Sequence, residues 1–236
     1  MTIFRASLIL INATIILIFS SCQISKSDQE IPGWNLIWQD EFDYDTDELS
    51  ENWNFEEGYG SYGWGNDEWQ YYSKENTSIE SGNLVITAKS EGKINKRDKS
   101  ITSSRLQTYQ KFDFKPGTKI IARIKLPWGQ GIWPAFWALG SNYSEVGWPS
   151  CGEIDILEMT GANPINHEKN YTIHSTCHWN DVNDPKNYKH AQHGKPLKLT
   201  KDFVNNYHLY EMIYQSDYIQ TKVDGKEIFK INTGVG

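Results

Sequence analysis

Three acidic side chains lie within six residues of an otherwise apolar segment, at Glu153, Asp155 and Glu158. Side chains alternate between the two faces of a regular strand, so Glu153 and Asp155 would share one face while the intervening isoleucines point to the core. Strict alternation would also turn Glu158 into the core. Because burying a carboxylate is costly, the pattern predicts a β-bulge near residues 156–157 that returns Glu158 to the acidic face.

Carboxylates crowded on one face of a partly dry groove repel each other, which raises the pKa of one group while another stays ionised. A glycosidase needs this division: a protonated acid for the leaving oxygen and an ionised carboxylate facing the anomeric carbon. A solvated acidic face and a Ca²⁺ site are the alternatives. The former would carry polar neighbours and the latter Gly and Asn, whereas this segment carries Ile, Leu and Met. The pattern therefore favours catalysis.

The elements around these acids are short. From Trp34 onward, apolar or alternating runs are separated by Gly, Asn, Asp and Pro, and no segment sustains helical periodicity with caps. The Asp224-Gly225 pair predicts a hairpin with a type I′ turn. This organisation predicts an all-β fold, an antiparallel sandwich. The predicted strands are 36–42, 83–88, 111–114, 119–126, 133–139, 153–159, 170–176, 207–214, 218–223 and 227–231.

The composition limits the partners. Ten tryptophans and an aromatic content of 14% suit stacking on the apolar faces of sugar rings, although about half of the tryptophans are expected in the core. The net charge of −7 argues against a nucleic-acid partner. Once an export segment is set aside, roughly 200 residues remain, which suits one β-rich domain.

The N-terminus resembles a bacterial lipoprotein signal. Arg5 provides a positive n-region, residues 8–19 an apolar h-region too short to span a bilayer comfortably, and Ser20-Ser21-Cys22 the small residues before a lipid-modified cysteine. We expect a signal peptide over 1–22, a linker over 23–33 and a catalytic domain over 34–236. The protein would be exported and anchored through Cys22 at the bacterial outer membrane or cell surface. The alternative is a plain signal peptide with an incidental cysteine, which would make the protein secreted.

Two further cysteines, Cys151 and Cys177, lie in the expected domain. Export permits a disulfide, but the spacing does not establish one, and neither cysteine fits a metal-ligand pattern. We expect both to be free and buried, with a bridge between them as the alternative.

The segment Glu153-Ile154-Asp155-Ile156-Leu157-Glu158 resembles the Glu-x-Asp-x-x-Glu motif of glycoside hydrolase family 16. Laminarinases (endo-β-1,3-glucanases), agarases and carrageenases share this six-residue form, whereas lichenases and xyloglucan transferases use a shorter one. The resemblance extends from about Trp34 to the C-terminus and is strongest to the laminarinase branch. The other segments that carry it are 38–42, 63–72, 102–105, 129–140 and 145–151.

This resemblance implies a β-jelly roll of two curved antiparallel sheets whose concave face forms a glycan cleft. Glu153 would be the nucleophile, Glu158 the general acid/base, and Asp155 the residue between them that orients the nucleophile. The reaction would retain the anomeric configuration through a covalent glycosyl-enzyme. The substrate-binding residues that the resemblance implies are Asn66, Arg105, Trp133, Trp137, Trp148 and His174.

Several of these residues also have a structural interpretation. Trp133 and Trp137 are four positions apart, so a regular strand places both on one face, which could line the cleft or the core. Trp148 lies in a Gly-Trp-Pro loop, which favours exposure. Arg105 would otherwise neutralise a neighbouring acid, and His174 would otherwise be a hydrogen-bonded structural histidine.

The resemblance implies no required cofactor. Glu41 and the backbone of Gly82 match places where family members hold a structural Ca²⁺, so calcium is an option in a full-length parent. Family members also continue past the 223–226 hairpin with further strands, and the chain therefore resembles a C-terminally truncated member. We expect these 236 residues by themselves to be unstable or weakly active. A soluble, cooperatively melting and fully active product would refute that expectation.

The expected activity is endo-hydrolysis of β-1,3-glucan or mixed-linkage β-glucan by a monomer. The expected partners are the polysaccharide and, through the lipid anchor alone, a membrane. One alternative is an agarase-like galactan hydrolase of the same family, and another is a non-catalytic glucan-binding protein. Proteins of the second kind generally lack the catalytic acids, and this chain keeps all three.

Overall fold

The computed structural model describes residues 31–161, 171–181, 189–200 and 203–234. Strands dominate these ranges and the helices are short, so the predicted all-β class is confirmed. The strands are β1 (Asn54–Glu56), β2 (Tyr71–Tyr72), β3 (Thr77–Ile79), β4 (Leu84–Ile86), β5 (Lys89–Ser90), β6 (Ile101–Ser103), β7 (Arg105–Gln107), β8 (Thr118–Ile124), β9 (Ala135–Leu139), β10 (Glu153–Glu158), β11 (Thr172–Asn180), β12 (His190–Lys198), β13 (His208–Tyr214), β14 (Tyr218–Val223) and β15 (Lys226–Asn232). The helices are α1 (Leu49–Asn52) and α2 (Tyr143–Val146), with 3₁₀ turns at Thr46–Glu48, Lys74–Asn76 and Phe203–Asn205 and a π-type turn at Gly63–Asp67.

Within the described ranges, the expected single domain comprises two compact units, one of residues 34–51 and 55–106 and one of 52–54 and 107–234. The first unit contains the three-stranded sheet β2-β6-β5 and the β3-β4 pair. Strands β2 and β6 run parallel, an exception to the predicted antiparallel pairing. The second unit contains two four-stranded antiparallel sheets, in the orders β12-β11-β10-β9 and β15-β14-β13-β8.

The two sheets of the second unit pack face to face, with β10 against β13 and with β11 and β12 against β15. The core between them is one cluster of buried apolar side chains from both sheets. Ile156 and Ile173 come from one sheet, and Met212 and Phe229 from the other. The predicted antiparallel sandwich is therefore confirmed, and β10, which carries the acids, lies inside its sheet with a partner on each side.

The predicted hairpin at 223–226 is confirmed. Strands β14 and β15 pair across it, and its two central residues, Asp224 and Gly225, have φ values of 47° and 75°. Positive φ at both positions is the requirement of a type I′ turn, which Asp-Gly meets with little strain.

Two predicted strands are wrong. Segments 36–42 and 111–114 lie outside the strands that the described residues form. Leu36 and Ile37 are 65% and 67% exposed. An apolar run makes a strand only when a neighbouring strand takes up its backbone hydrogen bonds, and a sequence pattern does not show that neighbour.

Strand β12 was missed. Most of its side chains are exposed and polar, and Gly194 and Pro196 interrupt any alternation. Both residues have a structural explanation at a sheet edge. A Cβ at position 194 would lie 2.4 Å from the Ser175 carbonyl oxygen, and a proline needs no ladder hydrogen bond on an edge strand.

The expected signal peptide, Cys22 and most of the linker lie outside the described residues. In the part of the chain that is described, no helix is both long and apolar enough to cross a membrane. The expected boundaries at 22 and 33 stay predictions.

Candidate active site

An extra residue interrupts the pairing of β10 with β9. Asp155 pairs with Trp137, and the next pair joins Leu157 to Phe136, so β10 advances two residues while β9 advances one. Ile156 is therefore the inserted residue of a β-bulge. The bulge predicted near residues 156–157 is confirmed.

The pairing of β10 with β11 shifts at the same place. From Asp155 to Glu158, β10 advances three residues while β11 advances two. Ile156 and Leu157 are each 1% exposed, so two consecutive side chains enter the core, which a regular strand does not allow. The extra residue leaves Glu158 half-buried and close enough to Glu153 for the two charges to interact.

An indole N–H donates to each glutamate. Trp148 Nε1–H donates to Glu153 Oε2 over 2.5 Å, and Trp133 Nε1–H donates to Glu158 Oε1 over 3.0 Å. The two tryptophans are 46% and 47% exposed, so neither is a core residue. Both positions suit the predicted cleft lining, and contact with a sugar stays a prediction.

Trp137 lies on the same face of the sheet as the acids. It lies on β9 directly opposite Asp155, and directly opposed residues of an antiparallel pair point to the same side of the sheet. Its neighbour Phe136 packs against the core. Trp133 precedes β9, which begins at Ala135, so the predicted start of this strand at residue 133 is wrong and strand alternation does not relate Trp133 to Trp137.

The acid between the two glutamates is held from β11. His178 Nε2–H donates to Asp155 Oδ2 over 3.0 Å, and the two side chains are only 16% and 4% exposed. Ser175 Oγ–H donates to the backbone carbonyl of Asp155 over 2.6 Å. His178 was not among the predicted site residues. The alternation of β11 could have found it, since His174 and His178 share one face.

The predicted substrate residue His174 is exposed and pairs in register with Glu158. It therefore lies beside the acids on the adjacent strand, as expected. Its contact with substrate stays a prediction.

Burial raises the pKa of all three acids. Together with the nearby charge of Asp155, it raises the pKa of Glu153 to about 7, against the hydrogen bond from Trp148. Burial also raises the pKa of Glu158, against an indole hydrogen bond, and the pKa of Asp155, against the hydrogen bond from His178. The pKa of His178 is raised in turn, chiefly by its hydrogen bond to Asp155.

This arrangement can hold one carboxyl protonated and another ionised near neutral pH. Those are the states that a general acid and a carboxylate nucleophile require. Glu153, Asp155 and His178 each have one potential metal-ligand atom, and these three atoms lie within 4.8 Å of one another, a spacing that also suits a metal ion. Their polar atoms are already engaged by hydrogen bonds to one another and to Trp148, so we interpret the cluster as a proton-bearing network.

The predicted substrate residues Asn66 and Arg105 belong to the first unit. Asn66 is exposed, and its Nδ2 lies 3.5 Å from Glu68 Oε1. Arg105 forms an ion pair with Glu56, Nε to Oε2 2.5 Å, and its guanidinium carbon lies 4.9 Å from the Trp64 ring centroid. The neutralising contact that was the alternative for Arg105 is present, and sugar binding by either residue stays a prediction.

The two residues expected at a structural calcium site also belong to the first unit. Glu41 is exposed, and Gly82 lies in a turn with φ 69°. Calcium takes about six to eight oxygen ligands, and one carboxylate with one carbonyl does not fill that number. These two residues do not by themselves fit the ion, and calcium binding by a longer chain stays a prediction.

Both cysteines of the described ranges are free thiols, so the prediction that they are free is confirmed and the Cys151–Cys177 bridge is absent. The expected burial is confirmed for Cys177 and is wrong for Cys151. Cys177 is buried, and burial raises the pKa of its thiol to about 12. Cys151 is half-buried, and burial raises its pKa as well. Neither thiol is therefore a nucleophile at neutral pH.

A family model described as glycosyl hydrolases family 16 matches residues 65–234. The chain belongs to glycosyl hydrolases family 16. The resemblance seen in the acidic motif is thereby confirmed, and the two antiparallel sheets of the second unit belong to a family 16 jelly roll.

Two curated relatives and one solved structure illustrate the family. The chain is 37% identical over 200 residues to the clotting factor G alpha subunit of Tachypleus tridentatus, covering 85% of this chain and 27% of the relative. It is 35% identical over 219 residues to glucan endo-1,3-beta-glucosidase A1 of Niallia circulans, covering 88% and 31%. The solved endo-beta-1,3-glucanase of Pyrococcus furiosus is 41% identical with a TM-score of 0.70, over 84% of this chain and 74% of that one. The chain spans less than a third of the length of these two curated relatives.

The raised pKa of Glu153 predicts a stability effect with a definite sign. A carboxyl whose folded-state pKa exceeds its unfolded value favours folding while protonated, and that contribution is lost as the pH rises through the folded-state pKa. For Glu153 this contribution to stability is lost as the pH rises from about 4.5 to about 7. Glu153→Gln should therefore raise the free energy of unfolding at pH 8 by about 1–2 kcal/mol, after allowance for solvent screening, and change it little at pH 4.5.

Urea unfolding at the two pH values measures this difference. Glu145→Gln, on exposed helix α2, is the matched control and should change stability by less than about 0.5 kcal/mol at either pH. A Glu153→Gln variant that is no more stable than wild type at pH 8 would contradict the electrostatic account of the site.

Proposed function

We propose that this chain is an endo-acting, retaining glycoside hydrolase that cleaves β-1,3-glucan or mixed-linkage β-glucan. The observation that carries the proposal is the bulge at Ile156, which turns Glu158 to the face that carries Glu153 and Asp155, with an indole donor on each glutamate. The names of the Niallia circulans and Pyrococcus furiosus relatives, both endo-1,3-glucan hydrolases, support the choice of substrate.

In the first step, Glu158 acts as the acid and Glu153 as the nucleophile. The bond between the anomeric carbon and the glycosidic oxygen breaks, and the carboxyl proton of Glu158 passes to the departing oxygen. A carboxylate oxygen of Glu153 bonds to the anomeric carbon from the opposite side. The leaving sugar departs with a free hydroxyl, and Glu158 is left ionised.

In the second step, Glu158 acts as a base. It takes a proton from water, whose oxygen bonds to the anomeric carbon as the bond to Glu153 breaks. Two inversions give net retention. The product leaves with its new hydroxyl, and both carboxyls return to their starting states.

The surrounding residues set which carboxyl carries the proton. The indole N–H of Trp148 favours the ionised form of Glu153 and opposes the burial that would protonate it. Asp155 raises the proton affinity of Glu153 unless its own charge is compensated, and His178 supplies that compensation. Asp155 and His178 are therefore positioning residues for the nucleophile.

Substrate assays separate this proposal from its alternatives. Release of reducing ends from laminarin supports the glucanase, whereas activity on agarose alone would favour a galactan hydrolase of the same family. Binding of glucan without release of reducing ends, in a full-length version, would favour a non-catalytic binding protein. The three acids argue for turnover, since binding alone does not require them.

Azide rescue tests the roles of the two glutamates. We expect Glu158→Ala to lower laminarin turnover by about 10²–10⁴-fold, the usual share of a general acid/base, and Glu153→Ala to lower it at least as much. With an aryl laminaribioside whose leaving group needs no acid, azide should give a β-glycosyl azide with Glu158→Ala. It should give an α-glycosyl azide with Glu153→Ala.

The azide products are identified by NMR, and Glu145→Ala is the control that should keep wild-type turnover. Azide products of the reverse configuration would exchange the two roles. Wild-type-like turnover of Glu153→Ala would remove that residue from the mechanism.

We further propose that the protein is an exported monomer, anchored to the bacterial outer membrane or cell surface through a lipid on Cys22. The support is the Arg5, 8–19 and Ser20-Ser21-Cys22 pattern. Metabolic labelling with a radioactive fatty acid should mark the wild type and not Cys22→Ser, which should move from the membrane to the soluble fraction. Equal labelling of both proteins would reject the anchor.

A further inference from the structure

A series of hydrogen bonds joins Asp155 to His178, and His178 to the exposed residue His190. His178 bonds Asp155 through Nε2, and its Nδ1 lies 2.8 Å from Nε2 of His190, the exposed first residue of β12. The two rings are 5.0 Å apart between centroids and inclined by 22°. The ring of Trp148, which donates to Glu153, lies 4.6 Å from that of His190.

The hydrogens on the ring nitrogens of His178 and His190 follow from which atoms must donate and which must accept. Next to an ionised Asp155, His178 Nε2 must carry a hydrogen in order to donate. Across the 2.8 Å contact, one nitrogen must donate and the other accept. If His178 is neutral, its Nδ1 accepts from His190. If His178 is an imidazolium, its Nδ1–H donates and His190 Nε2 accepts.

The neutral and the charged form of His178 both keep the hydrogen bonds to Asp155 and to His190. His190 makes this possible. An imidazolium at His178 with no acceptor for Nδ1–H would leave a largely buried charged donor unpaired, and that is costly. His190 removes this cost, and its own Nδ1 can take up the proton that the change requires. The neutral and charged forms of His178 therefore interconvert without breaking the contact to Asp155.

Among the described residues, the titratable groups that interact with His178 are the three acids of β10 and His190 of β12. Asp155 is hydrogen-bonded, while Glu153 and Glu158 act through charge alone, and all three favour the imidazolium. Trp148 contributes an indole that does not titrate. The positive form of His178 therefore faces three acidic side chains, and its Nδ1–H still needs the acceptor that His190 provides.

We propose that His190 is a positioning residue for the nucleophile: by accepting the Nδ1–H of His178, it lets His178 carry positive charge against Asp155 and so keeps Glu153 ionised. This rests on the proposed glycosidase function. It assigns a role to a residue that acts on the nucleophile through His178 and Asp155. The acidic limb of the pH–rate profile is then set by the pair of histidines as well as by the carboxyls.

The test compares His190→Phe, which keeps a ring against Trp148 but has no acceptor, with His190→Gln, whose amide oxygen can accept the same hydrogen. His193→Phe is the matched control. It makes the same substitution on the same strand, at a side chain that packs near Phe229 on the other sheet. The measurements are kcat and KM on laminarin from pH 4 to 9, and NMR titration of the His178 ring in each protein.

We expect His190→Phe to move the acidic limb of kcat/KM upward by about 0.5–1 pH unit. At pH values on the acidic side of this limb, its kcat/KM would be about three- to tenfold lower than that of the wild type. Its KM at the pH optimum would stay unchanged. His190→Gln and His193→Phe should keep the wild-type limb. The NMR titration should show a lowered His178 pKa in His190→Phe and not in His190→Gln.

Two results would overturn the proposal. One is a limb and a His178 titration that are unchanged in His190→Phe. The other is an equal shift in the Phe and Gln variants, which would show that the acceptor is not what matters. Failure of the underlying function is separable, because a folded wild type without turnover on laminarin at any pH would reject the glucanase while the NMR titration still tests the histidine pair.

Discussion

The cost of burying a charged carboxylate governs the shape of β10. The strand lies inside a sandwich and supplies apolar side chains to its core, yet it also carries three acids that a core would not accept. A regular strand cannot meet both demands, because its two-residue period would send Glu158 inward. The inserted Ile156 resolves the conflict by placing two consecutive apolar side chains in the core and turning the next acid outward.

Three acids on one half-buried face tend to be protonated, and side chains from neighbouring elements oppose this in part. Mutual repulsion and burial favour protonation of every acid, whereas a retaining hydrolase needs one of them ionised. The indole of Trp148 and the imidazole of His178 come from two different elements, and both favour the charged forms. The proposed turnover would therefore depend on hydrogen-bond donors that come from outside β10.

The sequence predicted the parts of this account that follow from a single strand. The bulge, the acidic face and the Asp224-Gly225 turn each arise from local alternation or local turn chemistry. The missed parts depend on pairing between distant segments. Strand β12 has exposed polar residues with Gly194 and Pro196, so no apolar period marks it, and without β12 the contact between His178 and His190 has no sequence signal. The wrong strand at 36–42 has the same cause, because alternation does not reveal whether a partner strand exists.

The central claim is that one inserted residue turns Glu153 and Glu158 to the same face, where they act as the nucleophile and the acid/base of a retaining enzyme. The anomeric configuration of the first product tests it most directly, since close carboxylates give retention and widely separated ones give inversion. Laminarin hydrolysis followed by ¹H NMR in the first minutes should show the β-anomer of the new reducing end before mutarotation produces the α-anomer. If the α-anomer appears first, the two glutamates do not act as nucleophile and acid/base, and the account is wrong.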